Sequence, residues 1–247
     1  MVIDKKTVTI AVVVPCYNYA KYLRECIDSL VVQTRKINEI IIVDDGSPDN
    51  TIEVAQELIN KYPDSNIKYV AKENGGLSSA RNAGIRIVES QLISCLDADD
   101  KLVPGAIEEF INLMDDDMVI GQTALMEFGE RHVVMIPNQT NLERVMQSNT
   151  IYCNAMFSKR MWQEVGGYDE SETMRLGYED WEFWIRLLEK GCWVNTSDFI
   201  ALRYRCHEGQ MTQATAHPNR QKLYKYLYDK HKHLYDRYEL TVSGLIQ

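Results

Sequence analysis

Asp97 and Asp99 stand two residues apart in Leu96-Asp97-Ala98-Asp99-Asp100, where an apolar run, Leu92-Ile93-Ser94-Cys95-Leu96, gives way to polar residues. Carboxylates at the carboxyl end of a strand occupy the place where open α/β sheets bind ligands. Close together they repel one another unless a cation sits between them, and hard oxygen ligands suit Mg2+ or Mn2+. An ion in such a place usually holds a phosphate-bearing substrate. The plain alternative for a lone Asp-x-Asp-Asp is a turn or helix cap, so its neighbours must decide.

The elements that position this cluster follow from hydrophobic period. Residues 8–14 are a continuous β-branched run, as in a strand covered on both faces. After Pro15-Cys16-Tyr17-Asn18, apolar residues at Leu23, Cys26, Ile27, Leu30 and Val31 have helical spacing. Residues 39–43 predict a second buried strand, ending in Asp44-Asp45-Gly46-Ser47-Pro48. Asp49 or Asn50 can cap a helix that turns Ile52, Ala55, Leu58, Ile59 and Tyr62 inward. A third strand spans 67–71, a helix runs from about Ser78 to Ser90, and Pro104 starts a helix that continues through Met114. This β-α-β-α-β-α-β order predicts a mostly parallel sheet flanked by helices. Further on the rhythm loosens. Strands are expected at 118–121 and 133–136, a short helix at 141–148, a strong helix at 178–190 and an extended segment at 193–204. One long Tyr- and Lys-rich helix is expected at 217–238.

Six segments in order carry a resemblance to a known family. They are Val13-Val14-Pro15-Cys16-Tyr17-Asn18, Val43-Asp44-Asp45-Gly46-Ser47 and Asn74-Gly75-Gly76-Leu77-Ser78-Ser79-Ala80-Arg81-Asn82-Ala83-Gly84. The aspartate cluster, Gly166-Gly167-Tyr168-Asp169 and Glu179-Asp180-Trp181-Glu182-Phe183-Trp184 complete the set. Over about residues 8–210 the chain resembles the family 2 glycosyltransferases, nucleotide-sugar-dependent enzymes of the GT-A fold. The resemblance implies a Rossmann-like α/β domain over 1–214, with a nucleotide-binding half (about 1–115) and an acceptor-binding half (116–214). A C-terminal helical extension (215–247) would follow.

On matching positions, the resemblance implies that Pro15, Tyr17 and Asn18 border the nucleotide base. Asp44 would accept a hydrogen bond from the uracil N3–H, since an ionised carboxylate is acceptor-only. Gly75 would let the backbone pass close to the ligand, and Arg81 would be the cation beside the nucleotide; a surface Arg paired with a carboxylate is the alternative. Asp97 would serve the ribose side, together with Ala98 in the same turn. Asp99, with Asp97 beside it, would bind Mn2+ or Mg2+ bridging two phosphates. His207, in Arg205-Cys206-His207, resembles a late element whose His can complete the metal site, and an imidazole ligand favours Mn2+. Asp180 would be the catalytic base at a helix start, where the amide-rich end stabilises its anion. Glu179 is the second choice and more suited to touching the acceptor. Trp181, Phe183 and Trp184 could stack on a sugar ring, though they cannot all face one way.

The implied reaction is inverting transfer of a sugar, most naturally from a UDP-sugar, to a hydroxyl of a saccharide or lipid-linked saccharide, as in polysaccharide biosynthesis. A retaining transferase on the same fold and a silent nucleotide- or sugar-binding module are the alternatives. The module would be expected to have lost Asp97, Asp99, Asp180 or His207, and all four are present. The composition agrees. With 247 residues, 26% charged and a net charge of −9, the chain lacks the basic surface of a nucleic-acid binder. No 18-residue apolar run or signal-peptide layout is visible, so a cytoplasmic location is expected. Six cysteines without a C-x-x-C pair read as reduced, buried thiols. Asp115-Asp116-Asp117 reads as a solvated turn. The basic, aromatic tail could lie on an anionic membrane, or pack against the domain or a twin subunit in a homodimer.

Overall fold

A computed structural model describes residues 1–240; residues 241–247, the end of the expected C-terminal extension, lie outside the described part. The chain runs β1 (Ile10–Cys16), α1 (Ala20–Val31), β2 (Glu39–Asp44), α2 (Thr51–Lys61), β3 (Ile67–Ala71), α3 (Leu77–Ile87) and β4 (Leu92–Cys95). These strands form the parallel order β3-β2-β1-β4. Every residue of β1, β2 and β4 is buried, as an all-apolar strand requires when helices cover both faces. Even-numbered side chains such as Val12, Val14, Ile40 and Ile42 pack against α1 and α2. Odd-numbered ones such as Ala11, Val13, Ile41 and Val43 face α3 and α7.

Next come β5 (Lys101–Leu102), α4 (Ala106–Leu113), β6 (Val119–Gly129), β7 (Val134–Met135), α5 (Leu142–Gln147), β8 (Phe157–Ser158), α6 (Lys159–Glu164), α7 (Glu179–Glu189) and β9 (Trp193–Cys206). The short β8 adds antiparallel to β4, and a second sheet has the order β5-β9-β6-β7. Its long β6 and β9 run parallel with a register shift around Ala124. The fold is thus the mostly parallel, helix-flanked sheet expected, with a second small sheet that the loosened pattern after Asp115 did not disclose.

Five expectations change. Ile52 is 53% exposed, because α2 buries Thr51, Val54, Ala55 and Leu58 instead. Pro104 precedes α4 rather than opening it; Gly105, at φ 87°, is the cap. Asp117 is not in a solvated turn: it is buried and accepts two hydrogen bonds from Arg160, at 2.6 and 2.8 Å. The tail is not one helix but α8 (Arg220–Lys230) and α9 (Lys232–Arg237), broken at His231. There the His231 Nε2 turns inward to Glu182 Oε1 at 3.2 Å. Leu227, Leu234 and Tyr235 join the core around α7, so the tail packs on its own domain. Finally, Trp181, Phe183 and Trp184 are all buried. Phe183 stacks on Tyr168 at 4.2 Å, and the Trp181 indole donates to the Val145 carbonyl. They anchor α7 rather than facing a ligand.

Candidate active site

A cavity of about 810 Å3 opens at the carboxyl ends of β1, β2 and β4, the expected place for a ligand in an open α/β sheet. Pro15, Cys16, Tyr17 and Asn18 form one wall, and Asp97, Ala98, Asp99, Tyr178, Glu179 and Asp180 also line the cavity. Residues 209–212, with Thr215 and Ala216, complete it. The first wall is held by neighbouring loops. The Asn18 amide donates to Ser47 Oγ at 3.1 Å, and Asp49 accepts from the Ala20 amide that opens α1 at 2.9 Å. Asn18 itself has φ 58°, a conformation Asn tolerates better than most residues.

Of the acidic pair after β2, the structure brings Asp45 to the cavity and turns Asp44 away. Asp44 ends a strand whose even-numbered residues face α1 and α2. Its carboxylate accepts from the Tyr69 hydroxyl at 2.7 Å and the Ser47 amide at 2.8 Å. Asp45 accepts from Lys72 Nζ (2.6 Å) and from the amides of Gly75 (2.9 Å) and Gly76 (2.8 Å). The glycine turn is therefore fastened to Asp45. Gly76, at φ 85°, lies on the cavity wall, whereas Gly75 does not. A Cβ on Gly75 would stand 2.6 Å from Ser79 Oγ, so packing explains that glycine.

Three carboxylates crowd the end of β4. Burial and the neighbouring Asp97 push the Asp99 carboxyl up, with His207 opposing them. Burial, then Asp99 and Asp97, push Asp100 well above the usual range. Asp100 accepts from the Arg205 amide at 2.7 Å, while its Oδ2 is buried without a partner. His207 Nε2 lies 3.0 Å from Asp99 Oδ2, and its Nδ1 lies 2.8 Å from the Glu208 carbonyl. A carbonyl can only accept, so the network assigns the Nδ1 proton to that contact. Nε2 then meets a carboxylate, an arrangement that calls for a shared proton or a cation. Two cis ligands of an octahedral ion with bonds of about 2.1 Å stand about 3 Å apart, so the pair fits Mn2+ or Mg2+. Among the described residues no three His, Cys, Asp or Glu form a complete cage. The other ligands must come from water or substrate, as is usual for Mg2+.

Arg81 lines the cavity and is not a surface residue. It is 1% exposed and donates to Asp97 at 3.0 Å and to Glu179 at 2.5 Å. Glu179 is correspondingly buried within the cavity lining; burial pushes its carboxyl up to about 7, against the pull of Arg81. Asp180, half-buried on the cavity wall, accepts from Asn149 Nδ2 at 3.1 Å. Burial raises its pKa, opposed chiefly by Arg81. The helix start is shaped by Tyr178 in a left-handed conformation (φ 65°) and by Gly177, where a Cβ would meet that of Ala216 at 2.8 Å.

Asp97, Ala98, Asp99, Glu179, Asp180, Arg81, Pro15, Tyr17 and Asn18 therefore converge on one cavity, and His207 reaches it through Asp99. Asp45, the first residue past β2, is told apart from Asp44 only once the end of that strand is observed. Asn149 and Cys153, whose Sγ is 3.6 Å from Asp97 Oδ2, lie in a stretch without motifs. Arg175, bonded to Asn74 Oδ1 at 2.8 Å, had no sequence signal either.

The family model for glycosyl transferase family 2 matches residues 11–163. The chain belongs to that family. A second model, the N-terminal domain of galactosyltransferase, matches residues 135–210. An uncharacterized glycosyltransferase of Rickettsia typhi is 30% identical over 82% of this chain and 65% of its own length. Chondroitin synthase of Escherichia coli is 28% identical over 76% of this chain but only 27% of its own. The chain thus spans less than two thirds of these relatives. Among solved structures, S. aureus TarS 1-349 in complex with UDP-GlcNAc has a TM-score of 0.69 at 20% identity, covering 84% of this chain and 61% of that one. The mannosyltransferase PcManGT from Pyrobaculum calidifontis, in complex with GDP-Man and Mn2+, has a TM-score of 0.67 at 17% identity over 85% and 61%. These likenesses establish the GT-A type fold. No helix among the described residues is long and apolar enough to cross a membrane.

Proposed function

We propose that this chain transfers a sugar from a nucleoside-diphosphate sugar, by preference a UDP-sugar, to a hydroxyl of a saccharide or lipid-linked saccharide, with inversion. The observation that carries this reading is the convergence of Asp180 and Asp99 on one cavity, with His207 bonded to Asp99. Residues 15–18, Asp45 and Gly76 supply a slot for a flat base and ribose. Asp99 and His207 would hold Mn2+ or Mg2+, which when bound neutralises charge on the departing diphosphate. Asp180 accepts the proton of the attacking hydroxyl as the oxygen closes on the anomeric carbon. Asn149 holds its Oδ2 and the Trp181 amide its Oδ1 (2.7 Å), and each oxygen keeps a further lone pair for the substrate. Glu179 and Arg81 act behind it, tying the helix that carries the base to the strand end that carries Asp97.

The deciding experiment is calorimetric titration with UDP in the presence of Mn2+, after EDTA, and against Asp99→Ala. Metal-dependent binding that the substitution abolishes is expected. Silence towards UDP, GDP and dTDP alike would leave a module that binds no nucleotide and overturn the transferase reading. Donor hydrolysis across a panel of UDP-sugars then names the sugar.

A further inference from the structure

A second cavity, of about 320 Å3, is lined by Asn138, Gln139, Arg144, Gln147, Ser148 and Thr150. Every one of these side chains can form hydrogen bonds; none is apolar and none acidic. The catalytic cavity is different, with six carboxylates on its walls: Asp45, Asp97, Asp99, Glu127, Glu179 and Asp180. Two cavities of such different chemistry are adjacent along two stretches of chain. Met135 lines the large one, and three residues later Asn138 lines the small one. On the other side Asn149 lines the large cavity, while its neighbours Ser148 and Thr150 line the small one. Ser148 is extended, at φ −159° and ψ 151°, and an extended chain sends alternate side chains to opposite sides. Asn149 is the residue that holds Asp180. The small cavity therefore begins one residue along the chain from Asn149, the hydrogen-bond partner of the proposed base.

The groove is built in advance. Gln139 Nε2 donates to Thr196 Oγ1 (3.0 Å), and Arg144 Nη1 donates to the Gln139 carbonyl (2.5 Å). Thr150 is fixed at its carbonyl by Gln122 (3.0 Å) and at its hydroxyl by Thr140 (2.6 Å). Gln147 Nε2 returns to the Glu143 carbonyl at 3.2 Å. These bonds leave the Gln139 and Gln147 Oε1 atoms, the Asn138 amide and the Ser148 hydroxyl without partners among the described residues. Amides and hydroxyls that both donate and accept match vicinal sugar hydroxyls, which also do both. An acyl chain would bury polar groups here without replacing their bonds to water.

We infer that this groove is an acceptor subsite, binding the saccharide unit next to the one whose hydroxyl is attacked, so that the preferred acceptor is a disaccharide or longer. The inference rests on the transferase reading and narrows its acceptor class. The test is a glycan array of mono-, di- and trisaccharides of glucose, galactose, N-acetylglucosamine and N-acetylgalactosamine. It is read with the protein carrying UDP and Mn2+, and again without nucleotide. Wild-type protein should bind some di- or trisaccharide about tenfold more tightly than its terminal monosaccharide, as expected from a few added hydrogen bonds. Gln139→Ala/Gln147→Ala, at two exposed positions, should bring the two to parity while UDP affinity stays unchanged. Equal binding of short and long glycans, a length preference that survives the double substitution, or no glycan binding at all would each overturn the subsite. Loss of UDP binding would instead overturn the transferase reading, and the array without nucleotide then judges the groove separately.

Discussion

Replacing Arg81 with Met tests whether the site is organised by a buried charge bridge. The guanidinium is 1% exposed, and the Glu179 side chain that it meets at 2.5 Å is 3% exposed. Asp97, at 3.0 Å, is 26% exposed and can recover some hydration. Removing the cation leaves one fully buried carboxylate without compensation, which costs about 3–5 kcal/mol. For a chain of this size each kcal/mol lowers Tm by about 2–4 °C, so the expected drop is roughly 6–20 °C. Replacing both partners with apolar side chains is far milder, often close to neutral. Arg81→Met/Glu179→Leu should therefore recover most of the stability, leaving a coupling of about 2–3 kcal/mol in a double-mutant cycle. Catalysis should not recover, because Asp97 still lacks its counter-ion. Urea unfolding followed by tryptophan fluorescence reads the stability. The pH dependence adds a second check. With its carboxyl raised from 4.5 to about 7, native Glu179 holds more protons than the unfolded chain across that window. Its contribution to stability falls as pH rises from about 4.5 to 7, and this slope should vanish in the double variant. Additive effects of the two substitutions, or a loss below about 1 kcal/mol in Arg81→Met, would refute the bridge.

Asp180→Asn keeps the shape and the Asn149 contact but removes the proton acceptor, so kcat should fall about 100- to 10,000-fold; a loss confined to donor KM in steady-state kinetics would point to a binding role. Because burial raises the Asp180 carboxyl, kcat/KM should fall tenfold per unit below a pKa lying above the ordinary carboxylate range. A pH–rate profile with its acid limb at or below pH 4 would contradict that environment. His207→Ala removes one of the two proposed protein ligands, and Mn2+-dependent UDP affinity should weaken about 10- to 100-fold while the metal-free baseline is unchanged; equal weakening with EDTA present would argue against ligation. Gly84→Ala places a Cβ 2.5 Å from Val13 Cγ1 and 2.8 Å from Val43 Cγ2. Overpacking of this kind costs about 1–3 kcal/mol, to be read in Tm, with UDP affinity per folded molecule unaltered.

The parallel half of the fold was legible because its strands are buried on both faces and so read as unbroken apolar runs, while its helices keep a clean 3.6 period. The second sheet was obscured for a physical reason. β5 and β7 are two residues long, too short for any period to show a sheet, and their pairing is decided by where β9 and β6 pass. The site divided the same way. Residues at strand ends and helix starts, such as Asp97, Asp99 and Asp180, announce themselves by position. Whether a charged residue there meets ligand or protein depends on partners far along the chain, which is why Arg81 and Glu179 face each other across 98 positions. Parity separates Asp44 from Asp45, and only the observed last residue of β2 fixes it. His231 broke the expected tail helix through a contact with Glu182, which local propensity cannot foresee.

The position of Asp180, the proposed base, depends as much on apolar packing as on charge. Trp181, Phe183 and Trp184 follow Asp180 directly and are all buried, so rotating the first turn of α7 would expose aromatic surface worth several kcal/mol. The Trp181 indole also reaches the Val145 carbonyl in α5, and Val145 and Met146 form the core side of that helix. The other side of α5 carries Arg144 and Gln147, which line the proposed acceptor groove. One helix pair thus sets both the direction of the Asp180 carboxylate and the distance to the groove. Substitutions beneath it, such as Val145→Ala, should change acceptor KM and kcat together while leaving UDP affinity intact. Kinetics in which Val145→Ala alters UDP binding but not acceptor use would separate the base from the groove and break this link.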